Sequence, residues 1–232
     1  MNWTIPPKPA ELTEKRLIEA ILDGVFPVNS NLPGERALAE LLGVTRPTLR
    51  EAMQRLARDG WLEINQGKPT RVRDYWREGN LGVLATITRY HDHLPENFIC
   101  NLLFVRQLMA PTYARLAVEC KVECLIPLLE ELTNLPDNAS AYASADWDLH
   151  YQLTVCSGNP IFTLILNGFK ELYPVVGKVY FQSHQARSRS KQFYQDLLVC
   201  ARTGDAQGAH AVTDQVMRDS LEIWCQVTGG QS

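Results

Sequence analysis

Apolar residues between positions 11 and 24 recur at helical spacing, with Leu12, Leu17, Ile18, Ile21 and Leu22 on one face, and Phe26-Pro27 ends the run. A second, shorter helix is predicted over 35–42, burying Leu38, Leu41 and Leu42, and Gly43-Val44 makes a tight turn after it. A third runs from Thr45 to about Asp59 and buries Leu49, Met53 and Leu56. Thr45 offers an N-cap hydroxyl, and Pro47 fits the first turn, where a missing N–H leaves nothing unpaired. Gly60 suits a left-handed stop. Beyond it, 61–64 reads as a strand, 65–68 as a hairpin turn and 70–72 as the returning strand. Three helices followed by a small hairpin give the winged helix-turn-helix layout.

Residues 74–79 read as a linker, although Tyr75 and Trp76 call for a packing partner. From Leu81 onward the pattern is helical throughout, over roughly 81–90, 96–117, 123–134, 142–157, 160–181, 190–202 and 205–226. Pro111 is expected to kink the second of these. The predicted fold is mainly α: a winged helix-turn-helix domain over 1–73, the linker, and an all-α antiparallel bundle over 80–232.

Composition adds only exclusions. The 232 residues are 45% hydrophobic and 21% charged, an ordinary globular balance. Charges or prolines interrupt every apolar run before about 18 residues, so no transmembrane helix is predicted. The first residues lack the cationic start and apolar core of a secretory signal, and cytoplasm is the expected compartment. The six cysteines lie in helical patterns without a C-x-x-C pair and are expected to be buried free thiols.

Net charge is -3, which does not favour nucleic acid, but its distribution is uneven. Residues 1–78 carry 12 Lys/Arg against 11 Asp/Glu, and the arginines concentrate on the third helix. A helix-turn-helix lays the N-terminal end of its second helix on base edges in the major groove. Here that end presents Thr45, Arg46, Thr48 and Arg50. The arginine fork meets guanine O6 and N7 together, while threonine hydroxyls suit phosphates. Gly67 lets the hairpin tip approach a duplex closely, with Gln66 and Lys68 beside it. Any single arginine here reads as a solvated helix face; the set on this layout reads as a DNA contact surface.

The stretch PGERALAELLGVTRPTLREAMQRLARDGWLEI closely resembles the GntR family of winged-helix regulators. The wing INQGKPTRV, followed by SGNPIF, LILNGFKELY and LEIW in the helical part, resembles that family's fatty acid metabolism regulator (FadR) branch over about 11–226. The resemblance implies DNA contacts at Arg36, Thr45, Arg46, Thr48, Arg50, Gly67 and Lys68, with Pro47 and Gln66 departing from the family pattern. It further implies a homodimer on a palindromic operator, released by long-chain acyl-CoA. Fatty acid degradation genes would be repressed and unsaturated fatty acid synthesis genes activated.

In the helical domain, Phe162, Leu166, Phe169, Tyr173, Val176 and Tyr180 form a stripe that by spacing alone reads as core. The resemblance recasts part of it as a ligand lining made by Arg106, Phe169, Tyr180, Tyr194, Ser220 and Trp224. Arg106 sits among apolar neighbours and has two readings. It is either held at the surface or by a bundle carboxylate such as Asp146, or it belongs to a polar network that ligand entry rearranges. The stretch before Ser220 is short of cations where a CoA diphosphate needs them, and Arg218 or the Arg187-Arg189-Lys191 group stands as the substitute.

The residues also offer rival chemistries. Asp146 and His150, four apart on one helix, could join a metal site that senses a small organic acid, but two ligands rarely hold a metal tightly. Free fatty acid is a further alternative ligand. Casting Ser157, His150 and Asp146 as a catalytic triad lacks the strand-to-helix elbow that presents a serine, so no enzyme is expected and no cofactor or metal is assigned.

Overall fold

In the N-terminal unit, α1 (Pro9–Leu22) buries Leu17, Ile18 and Ile21 and packs on α3 (Arg46–Asp59), as does α2 (Glu35–Leu42). The computed structural model describes residues 8–90, 94 and 97–228, and its packing divides the chain after Pro95. Glu14 of α1 is buried and lies 3.8 Å from Arg55 of α3 and 3.7 Å from Arg89 of α5 (Leu81–Arg89). One carboxylate thus ties three helices together.

Gly60 ends α3 with φ +100°, and a Cβ there would come within 3.2 Å of the Gly79 backbone, so both handedness and space require glycine. The wing is smaller than expected. Strands β1 (Leu62–Glu63) and β2 (Arg71–Val72) pair antiparallel, Leu62 opposite Val72. The Trp61 N–H is spent on the Leu56 carbonyl in closing α3. On the other side of β2 runs the 29–32 segment, with Asn31 bridging Arg71.

The expected linker holds a helical turn, α4 (Tyr75–Glu78), fastened to the wing. Tyr75 lies against the buried ring of Trp61, centroids 4.6 Å apart, and Arg71 joins Glu63 at 2.7 Å to Glu78 at 2.9 Å. Since α5 packs on α3, the chain through Pro95 groups with the first unit.

The C-terminal unit consists of α6 (Phe98–Lys121), α7 (Ile126–Leu132), α8 (Ala139–Cys156), α9 (Pro160–Asn167), α10 (Tyr173–Tyr180), α11 (His184–Thr203) and α12 (Ala206–Val227). The most extensive packing is between α6 and α12, and Ala110, Ala114 and Ala117 of α6 are fully buried. Leu149, Leu153, Phe193, Leu197, Val216 and Ile223 fill the same core. The α6 helix continues through Pro111. The helix expected over 160–181 is two helices. Gly168 closes the first, and Pro174, in the first turn of the second, has no N–H to continue the ladder. The N-cap hydroxyl of Ser183 starts α11 earlier than periodicity suggested.

The cysteines depart from expectation. Cys156 and Cys200 are buried, whereas Cys120, Cys124 and Cys225 are exposed on the outer sides of their segments. Among the described residues no helix is long and apolar enough to cross a membrane.

Candidate functional site

The N-terminal half of α6 contrasts with its C-terminal half. Between Ile99 and Met109 no residue is fully buried, although Leu102, Leu103, Val105 and Leu108 are apolar. Many of these side chains face an empty space of about 880 Å³, counting its open mouth, enclosed by α6, α8, α9, α10 and α12. The stripe that spacing alone assigned to the core lines this cavity instead: Phe162, Leu166, Phe169, Tyr173, Val176 and Tyr180 all contribute. The break between α9 and α10 is what wraps the stripe around the space.

Of the ligand residues expected from resemblance, Arg106, Phe169, Tyr180, Ser220 and Trp224 border the cavity. Tyr194 does not line it but stands behind the wall, its hydroxyl 3.4 Å from Asp146. Arg218 is not among the lining residues; it is exposed and paired with Asp214 at 2.6 Å. The substitute cations are engaged too, Arg187 with Asp137 and Arg189 with Asp219.

One polar cluster interrupts the apolar wall. Arg106 donates to Asp146 at 2.7 Å and lies over the Tyr173 ring at 5.3 Å, and the Tyr173 hydroxyl donates a very short hydrogen bond to the same carboxylate. Burial would raise the Asp146 pKa, but the Arg106 charge and the Tyr173 hydrogen bond hold it below the usual carboxylate range. Burial also pushes the hydroxyls of Tyr113, Tyr173 and Tyr194 up, and that of Tyr180 to about 12, so each keeps its proton and can donate. Tyr180 donates to Ser220 at 3.2 Å, and Ser220 in turn to the Val216 carbonyl.

His150 completes the network. Tyr113 and His150 Nδ1 are 2.6 Å apart; with the tyrosine donating, the imidazole proton sits on Nε2, 3.8 Å from Asp146 and without a hydrogen-bond partner. Burial and the Arg106 charge push its pKa down to about 3, so the ring is neutral. The Arg106 Nε is likewise buried without a partner. Sequence reasoning missed Tyr113 and Tyr173 as members of this cluster. The usable signal was helical phase: Tyr113 lies two turns beyond Arg106 on one face, as His150 lies one turn beyond Asp146.

The rival chemistries find their atoms already committed. The carboxylate of Asp146 is occupied by Arg106 and Tyr173, and His150 Nδ1 by Tyr113; no group of three possible metal ligands occurs among the described residues. The Ser157 hydroxyl donates to the Thr154 carbonyl and accepts from Asn159 N–H, which makes it a helix stop.

On the first unit, Thr45 caps α3, its hydroxyl accepting from Thr48 N–H at 3.3 Å and lying 2.8 Å from the Thr48 hydroxyl. Arg46 is exposed at the first turn. Arg50 reaches Glu35 of α2 at 2.7 Å, and Arg36 pairs with Glu40 at 3.1 Å. Such exposed pairs contribute about 0–1 kcal/mol, so a phosphate can displace them cheaply. Gln66, Gly67 and Lys68 are exposed at the wing tip, where Gly67 has φ +74°.

Residues 9–72 match the profile of the bacterial regulatory proteins of the GntR family, and residues 73–230 match that of the FadR C-terminal domain. A protein named fatty acid metabolism regulator protein from Shewanella baltica (strain OS155) is 42% identical over 222 residues, covering 94% of this chain and 92% of the relative. One of the same name from Shewanella amazonensis is 46% identical over 192 residues, covering 82% and 79%. The solved structure of Lar, described as controlling the expression of the Listeria monocytogenes agr system, is 15% identical with a TM-score of 0.64, covering 96% of this chain and 99% of that one, which is a likeness of fold. The two domain matches together span nearly the whole chain, and the chain belongs to the GntR family of bacterial transcription regulators, in the branch that carries the FadR C-terminal domain.

Proposed function

We propose that the chain is a DNA-binding regulator of fatty acid metabolism that acts as a homodimer on a palindromic operator and is released by long-chain acyl-CoA. The observation that carries this reading is the apolar cavity, with Arg106 and Asp146 paired in its wall. An acyl chain gains about 0.8 kcal/mol per buried methylene, so such a space discriminates by chain length. Trp224 and Phe169 flank the chain, and Tyr180 and Ser220 offer hydrogen bonds to the thioester. Arg218 binds the diphosphate by exchanging Asp214 for phosphate.

The signal to DNA travels through the polar network. Two unpartnered buried nitrogens, on Arg106 and His150, leave it incompletely satisfied, and such a network has a second arrangement within reach when an acyl chain displaces Arg106 or Tyr173. Two winged helices on a twofold axis read a palindrome only at one spacing, so a ligand that favours another spacing lowers operator affinity. By linkage, operator DNA weakens ligand binding by the same factor. Arg46 and Arg50 contact base edges; Arg36, Thr45, Thr48 and the wing residues Gln66, Gly67 and Lys68 hold backbone. In this role the protein represses degradation genes and activates unsaturated fatty acid synthesis genes.

The test is release of a duplex selected from a randomised pool, challenged separately with oleoyl-CoA, oleate and CoA. Release by oleoyl-CoA alone is the expected result. Release by oleate reassigns the ligand to free fatty acid, and release by neither overturns lipid sensing.

A further inference from the structure

The cavity wall carries hydrogen-bonding groups at two places, and they differ in kind. On the α12 side the Tyr180 hydroxyl donates to Ser220 at 3.2 Å, and both partners are neutral. On the α6 and α8 side the charged pair of Arg106 and Asp146 lines the space, with 18% and 9% of the two side chains still accessible. Asp146 Oδ2 takes the short hydrogen bonds from Arg106 and Tyr173. Its Oδ1 has a longer contact from the Tyr194 hydroxyl at 3.4 Å, while His150 Nε2 stays at 3.8 Å. The Arg106 Nε has no partner. The pair therefore keeps both accepting and donating capacity beyond the bond that joins it.

A plain hydrocarbon chain laid over this pair takes the remaining water from a guanidinium and a carboxylate and returns no hydrogen bond, an unfavourable exchange. Over Phe169 or Val176 the same methylenes gain. A hydroxyl carried on the chain changes the balance at the pair, because its oxygen accepts from Arg106 and its proton goes to Asp146. Hydrogen bonds to charged groups are stronger than those between neutral ones.

We propose that Arg106 and Asp146 form a specificity subsite for a hydroxyl borne in the interior of a long acyl chain, so that the cavity favours hydroxylated acyl thioesters over plain ones. This inference deepens the function proposed above and rests on it. The position of the hydroxyl follows from α10. Tyr173, bonded to Asp146 of α8, and Tyr180, bonded to Ser220 of α12, stand at its two ends, seven residues or about 10 Å apart along the axis. With the thioester at Tyr180 and Ser220, the charged pair meets the middle of the chain and not the carbons beside the thioester.

The test measures the affinity of the full chain, by calorimetry, for stearoyl-CoA and for its 3-hydroxy, 10-hydroxy and 12-hydroxy derivatives. The expected result is that the 10-hydroxy or the 12-hydroxy chain binds about tenfold more tightly than stearoyl-CoA, and the 3-hydroxy chain no more tightly. In the double variant Arg106→Met/Asp146→Leu the preference for the hydroxylated chain is expected to vanish. No preference for either mid-chain hydroxyl, a preference for the 3-hydroxy chain, or a preference that survives in the double variant each overturns the inference. The four ligands on the unmodified protein decide it even if the double variant does not fold. Equal binding of all four leaves the lipid reading standing and removes only the subsite, whereas binding of none removes the lipid reading and the subsite with it.

Discussion

The guanidinium of Arg106 on α6 donates to the carboxylate of Asp146 on α8 at 2.7 Å, and the pair forms part of the wall of an otherwise apolar cavity. Charges out of water are stable only as partners, so removing one strands the other. Arg106→Met is expected to destabilise the protein by about 3–5 kcal/mol. The double variant Arg106→Met/Asp146→Leu is expected to recover most of that loss, because no uncompensated charge remains. Urea denaturation of the four proteins in the cycle measures the coupling; additive losses would show that the two groups do not depend on each other.

His150 makes stability pH-dependent with a defined sign. Its folded pKa, about 3, lies below the ordinary histidine value of 6.5, so the unfolded chain binds the extra proton first. The contribution is fully present above pH 6.5 and is lost as pH falls from there toward 3. Asp146, whose pKa is also lowered, acts in the same direction at the acid end: its share is present above 3.8 and disappears as pH drops through its folded value. Replacing His150 by Gln is expected to flatten the stability curve between pH 6.5 and 4 while leaving the steeper loss below it. An unchanged slope in that window would remove His150 as its source.

Replacing Arg46 is expected to separate DNA recognition from folding. It is exposed on the first turn of α3, so Arg46→Ala is expected to change stability by no more than about 0.5 kcal/mol. Loss of a bidentate guanine contact costs about 1–3 kcal/mol, a drop in operator affinity of about fivefold to a hundredfold, with sequence preference relaxed at one position of each half-site. Quantitative gel shifts on the selected duplex and its single-base variants read both. Acyl-CoA binding is expected to remain as it was.

Gly177 is where α10 crosses α8. A Cβ there would meet the Ala143 Cβ at 3.1 Å, and the residue itself lines the cavity. Gly177→Ala is expected to push α10 outward at a cost of about 1–3 kcal/mol. The affinity for long acyl chains should change relative to shorter ones, read by calorimetry with a chain-length series. Equal shifts for all lengths would mean that this crossing does not shape the cavity.

Much of the molecule could be read from local patterns because local chemistry specifies it. The Thr45 cap, Pro47 in the first turn and Gly60 at the stop delimit α3 through backbone rules that act within a few residues, and they place the arginines on one end of the helix. The Asn138 and Asn159 caps likewise start their helices where asparagine side chains can take up free amide groups. Tertiary packing decided the rest. Periodicity shows that Phe162 to Tyr180 share an apolar face but cannot say whether that face meets another helix or empty space, since burying and lining require the same side chains. The union of Arg106, Asp146, Tyr113, His150 and Tyr173, drawn from three helices, exists only once those helices pack, because a guanidinium and a carboxylate forty residues apart carry no mutual signal along the chain.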